Sequence, residues 1–367
     1  MSHIATNQTV AVGSVLAQGH ALYLALQVLR NEQPGLRARD IAAQLSVSEG
    51  ELLACRVGES AVLLRSDWQT LLPALLSLGE VMALTRNEHC VHERYGKYRE
   101  TTIMPNGKMG LVVSSDIDLR LFLSGWKSAF ALTEETKRGT QRSLQFFDSQ
   151  GVAVHKVFLT ESSDINAWDD LVVRFAAPEQ SSELTIEPAV EKPAELADSE
   201  IDTVNMRARW ARLKDTHHFY ALLKNAKTTR LQALRLAGRE WAEPLATDAL
   251  PRLFEAAAAQ QLPIMVFVGN DHCVQIYSGT VTHLRWVGDW FNVLDPEFNL
   301  HLKAQAIAQL WRVRKPTVDG VITSWEAYDA QGHLIVQLFG VRTPNTPESA
   351  QWRELAESFP ALIAAEA

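Results

Sequence analysis

Two adjacent histidines, His217 and His218, are the side chains in this sequence best suited to bind a metal or a haem iron. They stand in the heptapeptide KDTHHFY at residues 214–220, beside two aromatic residues. A neutral imidazole nitrogen is the commonest metal donor among protein side chains. A histidine on an apolar helix face is more often a hydrogen-bonded core residue. The surrounding elements must therefore decide between these two interpretations.

The sequence before the pair allows two local structures. His217 follows Met206, Trp210 and Leu213 at helical spacing, so in a continuous helix it lies on an apolar stripe. If a helix instead restarts with Asp215 as its N-cap, His217 lies in the first turn. The helix dipole there favours the neutral imidazole, the form that binds a metal. The sequence leaves both arrangements open.

Composition argues against several other kinds of site. The net charge of −8 over 367 residues does not suit a protein that coats nucleic acid, which needs a surplus of Lys and Arg. Cys55, Cys90 and Cys273 are far apart and form no CxxC pair, so a zinc ribbon, an iron–sulfur cluster and a disulfide framework are not expected. Cysteine usage instead predicts a reducing, cytoplasmic compartment.

Phosphate-binding, serine-hydrolase and membrane signatures are absent from the sequence. It contains no GxGxxG, GxxxxGK[ST] or GxSxG motif. No apolar run approaches the ~20 residues that span a bilayer, so membrane insertion is not expected. The first 13 residues do not resemble a signal peptide.

Short motifs repeat in order at offsets of 181 to 184 residues. The pairs are NEHCV at 87–91 with NDHCV at 270–274, DLRL at 118–121 with NLHL at 299–302, FDSQG at 147–151 with YDAQG at 328–332, and Trp168…Phe175 with Trp352…Phe359. Such matches predict a tandem structural duplication. Each half runs from helices through antiparallel strands to a closing helix, which predicts an α+β fold.

The expected domains are an N-terminal repeat at 14–176, an acidic, Pro-rich linker at 177–203 and a C-terminal repeat at 204–362. The linker contains three prolines and eight acidic residues against one lysine. This composition cannot bury an apolar face and predicts an extended, mobile segment. Residues 67–85 are predicted to form a helix because of their leucine pattern.

Residues 37–57 resemble a helix-turn-helix, with Ser48 and Glu51 forming a capping box. A recognition helix needs cations and base-reading polar side chains, whereas this one carries Glu49 and Glu51, with Arg56 near its end. A packed pair of small helices is therefore the main interpretation. A DNA-binding regulator is kept as an alternative of another class.

The sequence resembles the cytoplasmic haem-trafficking and haem-degrading proteins of Gram-negative haem-uptake systems, the HemS, HmuS, ChuS and PhuS type, also called hemin-degrading factors. The matching stretches are RNE at 86–88, VHE at 91–93, DLRLFL at 118–123, QFFD at 145–148, DTH at 215–217, IMVFVGN at 264–270, RKPT at 314–317 and QLFGVR at 337–342. They cover both repeats. The resemblance implies that haem b, iron protoporphyrin IX, binds in a cleft beside the sheets.

The resemblance also implies roles for particular residues. His217 is expected to be the axial iron ligand, with His218 as a nearby second histidine. Arg120, from the N-terminal half, is expected to reach the other face of the haem and to act there as the catalytic residue. A guanidinium on that face can stabilise negative charge that develops during ring opening.

Three further residues are implied in haem binding. Arg342 is expected on the propionate side, because guanidinium pairs with carboxylate. Phe339 stands where several family members have Tyr, so it keeps an apolar wall but lacks the phenolic hydrogen bond. His92 matches a histidine proposed to serve a second haem site in one branch of the family.

The function implied by the resemblance is the trafficking of haem and its degradation by oxidative ring opening, which releases iron. The partners implied are an electron donor and a haem-uptake ABC transporter upstream. The alternative is a pure carrier that delivers haem to a separate haem oxygenase. A carrier needs the same ligands as an enzyme, so the sequence does not separate the two.

Overall fold

The computed structural model describes residues 7–137, 139–189, 194–342 and 346–362, and it divides into two compact units. Unit 1 contains Met1–Thr85, Tyr95–Val190 and Asn270–Cys273. Unit 2 contains Arg86–Arg94, Glu191–Gly269 and Val274–Ala367. Each unit therefore includes a short segment from the other half of the sequence.

Unit 1 packs helices on antiparallel sheets. Its helices are α1 (Asn7–Glu32), α2 (Ala38–Gln44), α3 (Glu49–Ala54), α4 (Trp68–Ala74) and α5 (Ile165–Phe175). Its strands are β1 (Ala61–Leu64), β2 (Gly79–Arg86), the end of β3 (Cys90–Gly96), β4 (Thr101–Ile103), β5 (Gly110–Val112), β6 (Asp118–Leu121), β7 (Ser128–Thr136), β8 (Gly139–Phe147) and β9 (Ala153–Ser163). Its strands form two sheet segments, a larger one with the order β1-β7-β8-β9-β2 and a smaller one with the order β6-β5-β4.

Unit 2 repeats this plan. Its helices are α6 (Thr203–Trp210), α7 (His218–Ala226), α8 (Arg230–Ala237), α9 (Ala249–Ala259) and α10 (Ala350–Glu357). Its strands are β10 (Ala242–Leu245), β11 (Ile264–Asn270), β12 (Cys273–Gly279), β13 (Leu284–Val287), β14 (Trp290–Asp295), β15 (Phe298–Lys303), β16 (Gln309–Thr317), β17 (Gly320–Tyr328) and β18 (Leu334–Gly340). Its strands also form two sheet segments, a larger one with the order β10-β16-β17-β18-β11 and a smaller one with the order β3-β15-β14-β13.

The predicted α+β duplication is confirmed by matching strand bounds and registers. Strands β7 and β8 reappear as β16 and β17 with every end shifted by 181 residues. Their registers agree too, since Ser128↔Phe147 corresponds to Gln309↔Tyr328. The turn after each hairpin strand ends in a glycine with positive φ, 71° at Gly151 and 81° at Gly332, a conformation that favours glycine. Local sequence and sheet register therefore repeat together.

A buried apolar core fills each unit. In unit 2, Phe254, Trp325 and Trp352 are fully buried. In unit 1, Leu71, Phe146 and Trp168 belong to the corresponding cluster. Burying each large apolar side chain contributes roughly 1.5–3 kcal/mol, so these clusters are the main stabilising term of each unit.

The predicted helix over 67–85 is wrong in its second half. Helix α4 ends at Ala74, a 3-10 turn covers Leu75–Leu78, and β2 begins at Gly79. Gly79 has a φ of +72°, which ends the helical course. Beyond it Val81 and Ala83 are fully buried at alternate positions, which is the period of a strand.

The acidic segment predicted as a mobile linker makes specific contacts in each unit. In unit 1 the side-chain amide of Gln180 accepts from the backbone nitrogen of Leu63 and donates to its oxygen, at 2.8 and 2.9 Å. In unit 2 the carboxylate of Glu195 accepts from Thr229 and from Arg235. Polar side chains that cannot form a core instead bind the unit surfaces.

Candidate functional site

The histidine pair stands at the start of a separate helix. Helix α6 ends at Trp210, and α7 begins at His218 with His217 as its N-cap. The continuous-helix interpretation is therefore wrong. The restart interpretation is closer, but the N-cap is His217 instead of Asp215.

Both histidines project from the surface of unit 2. The side chain of His217 is 84% exposed, and His218 is also exposed. The next residue, Phe219, is buried and packs edge-on against Trp210 with ring centroids 4.7 Å apart. Phe219 thus anchors the helix, and the imidazoles before it remain accessible to a ligand.

Asp215 binds His217 in two ways. The backbone nitrogen of His217 donates to Oδ1 of Asp215 at 2.8 Å, and Nδ1 of the ring lies 2.6 Å from the same oxygen. These hydrogen bonds, above all the one from the backbone, lower the pKa of the Asp215 carboxyl. When Nδ1 carries the proton, the lone pair of Nε2 is available to a metal. Carboxylate–histidine–metal arrangements have this geometry.

A buried charged cluster lies under Phe219. Glu326 is fully buried and accepts from Arg230 through Nε and Nη2, each at 2.7 Å. It also accepts from Lys315 at 2.8 Å and from the hydroxyl of Tyr328 at 2.7 Å. The Phe219 ring lies 4.7 Å from Nζ of Lys315 and 5.1 Å from Cζ of Arg230. Cation–π attraction therefore adds to the packing that holds α7.

Mutual neutralisation controls the protonation of this cluster. Burial alone would raise the pKa of the Glu326 carboxyl, but the charges of Arg230 and Lys315 outweigh it and hold that pKa well below its ordinary value. Burial lowers the pKa of Lys315 to about 8, against the opposing effect of Glu326. Sequence analysis missed Arg230 and Glu326. The available signal was Glu326 itself, the one charged residue of strand β17.

Arg120 lies on the smaller sheet of unit 1. It sits on β6 opposite Leu111 and donates to the carboxylate of Asp118 and to the carbonyl of Leu119. Burial raises the pKa of Asp118, partly offset by the Arg120 charge. Large apolar side chains near it in the chain are exposed, namely Met109, Val113 and Phe122. A guanidinium near apolar surface suits a flat ligand that also carries charge.

The other predicted residues differ in accessibility. Phe339, on β18, is half-buried and its ring lies 4.9 Å from that of Phe267, so it forms part of an apolar wall. Arg342 follows that strand and is half-buried. His92 is fully buried in unit 2, with Nδ1 2.9 Å from the amide nitrogen of Gln275. The described contacts do not join His217 directly to Phe339 or Arg342.

Comparison with known proteins identifies the family. The model of the haemin-degrading HemS/ChuX domain matches residues 46–175 and 227–359, one segment in each repeat. This chain belongs to the HemS/ChuX family. The resemblance found in the sequence is thereby confirmed.

Close relatives of this HemS/ChuX protein are known from sequence and structure. The hemin transport protein HmuS of Yersinia pestis is 43% identical over 91% of this chain and 96% of its own. Holo-PhuS, a heme-binding protein from Pseudomonas aeruginosa, is 64% identical with a TM-score of 0.93, covering 94% of this chain and 99% of that one. ChuS, an E. coli heme oxygenase, is 37% identical with a TM-score of 0.82, covering 93% and 99%.

The helix pair of this HemS/ChuX protein, α2 and α3, is packed into unit 1. The capping box of Ser48 and Glu51 is present as predicted. The nitrogen of Gly50 donates to the carbonyl of Gly151, and Glu49 pairs with Lys156 at 2.9 Å, so the start of α3 is covered. Arg56 is buried and donates to Glu134. These side chains are not available to DNA, which favours the packed-pair interpretation.

None of the helices in the described part of the chain combines the length and the hydrophobicity that crossing a membrane requires.

Proposed function

We propose that this protein binds haem b through His217, carries it in the cytoplasm for a haem-uptake system and, when an electron donor and oxygen are supplied, opens the ring oxidatively to release iron. The observation that carries the proposal is the exposed imidazole of His217, whose Nδ1 lies against Asp215. A neutral imidazole of this kind is a common axial ligand of haem iron.

The relatives support both parts of the proposal. HmuS is a hemin transport protein and PhuS is a heme-binding protein, which supports binding and transport. ChuS is a heme oxygenase, which supports ring opening. The family model, a haemin-degrading domain, matches both repeats of this chain.

The side chains of unit 2 fit a planar, apolar dianion that has a metal at its centre. His217 offers Nε2 to the iron, and Phe339 with Phe267 offers apolar surface. Arg342 is proposed to hold a propionate, and His218 is proposed as a substitute ligand. His92 is left out of this site because it is fully buried.

Arg120 is proposed to act on the face of the haem opposite His217, as the family resemblance implies. Its guanidinium carries a positive charge and can donate several hydrogen bonds. There it would stabilise negative charge and orient water, while apolar neighbours such as Phe122 exclude bulk solvent. Haem, as the bound substrate, supplies the redox chemistry.

The experiment is a haemin titration followed by the Soret band, with wild-type protein and His217→Ala. The substitution should shift the Soret band and weaken binding. His283→Ala is the matched control, because His283 is also exposed and its Nδ1 lies 2.8 Å from Asp295. Unchanged haemin binding by His217→Ala would contradict the proposed ligand.

A second experiment separates degradation from carriage. The haemin complex is mixed with a reductant under air, and the Soret band and carbon monoxide are followed. Loss of the band with release of carbon monoxide and an open tetrapyrrole supports ring opening, and Arg120→Ala should slow it while leaving the iron ligation intact. Stable haem that passes to an added haem oxygenase would instead support the pure carrier.

A further inference from the structure

We infer that Asp215 selects His217 over the adjacent His218 as the iron ligand and strengthens the donor power of the selected imidazole. The inference rests on the proposed haem site and deepens it. Asp215 is a positioning residue here, since it acts on the iron only through His217.

The carboxylate of Asp215 holds His217 through two contacts. A single oxygen of Asp215 accepts the backbone N–H of His217 and contacts Nδ1 of the same residue, at 2.8 and 2.6 Å. Two contacts to one oxygen fix both the backbone and the ring of His217. Nδ1 is occupied, so Nε2 is the nitrogen that faces a ligand. Second-shell partners of this kind set the tautomer and the ring orientation of metal-binding histidines.

His217 and His218 differ in how they bind Asp215. His218 donates its backbone nitrogen to the carbonyl of Asp215 at 3.1 Å, and this bond does not involve the carboxylate. The described hydrogen bonds of the Asp215 carboxylate are with His217. Both imidazoles are exposed, so accessibility does not discriminate between them. Pre-organisation does, because His217 loses less side-chain freedom when it binds.

The Asp215 carboxylate also affects the charge on the His217 imidazole. A carboxylate that accepts a hydrogen bond from Nδ1–H shifts negative charge onto the imidazole and makes Nε2 a stronger donor. A stronger, more negative donor stabilises ferric iron more than ferrous iron. A bound haem would also exclude water from Asp215 and strengthen this interaction. Asp215 should therefore lower the midpoint potential of the bound haem.

The test uses haemin with wild-type protein, Asp215→Ala, Asp215→Asn and the double variant Asp215→Ala/His218→Ala. Asp215→Ala should weaken ferric haem binding by about 10-fold to 100-fold. Each ten-fold loss of affinity specific to the ferric state raises the potential by about 59 mV. The ferrous iron–histidine stretching frequency should fall in Asp215→Ala. In Asp215→Asn this frequency should lie between those of wild type and Asp215→Ala.

Selection between the histidines is read from the double variant. If His218 ligates the iron in part of the Asp215→Ala protein, adding His218→Ala should change the spectrum further. The single variant His218→Ala should keep the iron–histidine frequency of wild type. Asp295→Asn is the control, since Asp295 holds His283 with the same backbone and ring contacts. It should leave the potential unchanged.

Three outcomes overturn different conclusions. The role of Asp215 would be refuted if Asp215→Ala left both the potential and the iron–histidine frequency unchanged. If His217→Ala lost ligation in the same series, the haem site would still stand. Wild-type spectrum and affinity in His217→Ala would refute His217 as the ligand, and the same result in the double variant His217→Ala/His218→Ala would refute the haem site itself. Asp215 is half-exposed, so circular dichroism should show folded protein for each variant.

Discussion

Helix α7 of unit 2 follows His217 and starts with His218, whereas the equivalent helix of unit 1, α2, follows Arg37 and starts with Ala38. The strands after these helices match at an offset of 181 residues. The same backbone thus presents two imidazoles in one repeat and no imidazole at the same place in the other. The two histidines stand at a helix terminus of the shared fold, where they do not disturb the core.

The side chains beneath these helices also differ. Glu326, Arg230 and Lys315 of unit 2 correspond at the same offset to Gln145, Glu49 and Glu134 of unit 1. In unit 2 the carboxylate of Glu326 pairs with both Arg230 and Lys315. In unit 1, Glu49 pairs with Lys156 and Glu134 with Arg56. Each repeat therefore neutralises its buried charges with a different set of partners.

Phe219 corresponds to Ala38, and this substitution changes the space beneath the helix. Phe219 is 2% exposed and covers the cations of unit 2. In unit 1 a small surface pocket is lined by Ala38 and by charged residues that include Arg30 and Arg56. The aromatic ring of Phe219 thus fills the space beneath α7, where unit 1 has the small side chain of Ala38.

The largest expected effect is that of Glu326→Ala. It leaves Arg230 and Lys315 buried without their anion, and we expect a loss of about 3–5 kcal/mol in the free energy of unfolding. Gln145→Ala, at the equivalent place, removes one hydrogen bond to Ser143 and should cost about 1 kcal/mol. Urea unfolding measures both. Equal losses would show that the two clusters do not differ in the way described.

Phe219→Ala should cost about 3 kcal/mol, because it empties a buried site and uncovers two cations. It should also weaken haemin binding, since α7 loses its anchor. Urea unfolding and a Soret titration measure the two effects. A cost below about 1 kcal/mol would mean that Phe219 does not hold the helix.

Acid sensitivity should differ between the units because of His155. Burial lowers the pKa of this imidazole to about 3, and its contacts are Thr85 and Tyr98. Between pH 7 and pH 5 the imidazole is protonated in the unfolded chain but stays neutral in the folded chain. Lowering the pH over this range should therefore reduce the free energy of unfolding by about 2 kcal/mol. Unit 2 has the buried Val336 at the equivalent position.

His155→Val tests that difference by giving unit 1 the residue of unit 2. The shift in urea midpoint between pH 7 and pH 5 should shrink by the contribution of this histidine, even though the variant is less stable at pH 7. A pH dependence identical to that of wild type would exclude His155 as its source.

The smallest expected effect concerns a feature that the units share. Ser48 accepts from the nitrogen of Glu51 and Thr229 from that of Gln232, each at 3.1 Å, so both cap the equivalent helices α3 and α8. Ser48→Ala and Thr229→Ala should each cost about 1 kcal/mol in urea unfolding. Costs that differ by more than about 1 kcal/mol would indicate that the two caps are not equivalent.

Much of the fold was predictable because its signals are local and repeated. The FDSQG and YDAQG motifs marked equivalent hairpins, and the Ser48 capping box marked a helix start. The helix predicted over 67–85 failed because the leucine run ended at Gly79, whose positive φ starts a strand. A pattern of apolar residues did not reveal that change of backbone.

The sequence by itself determined the duplication, the α+β class and the family, since periodicity, turn residues and motif order are properties of the chain. The tertiary structure alone decided that Glu326 neutralises Arg230 and Lys315, residues 96 and 11 positions away. It also decided that Asp215 binds the ring of His217, because the sequence left the course of that helix open. The contact of Glu326 with Arg230 depends on where a distant helix meets strand β17, and the contact of Asp215 with His217 depends on where α7 begins; local patterns encode neither.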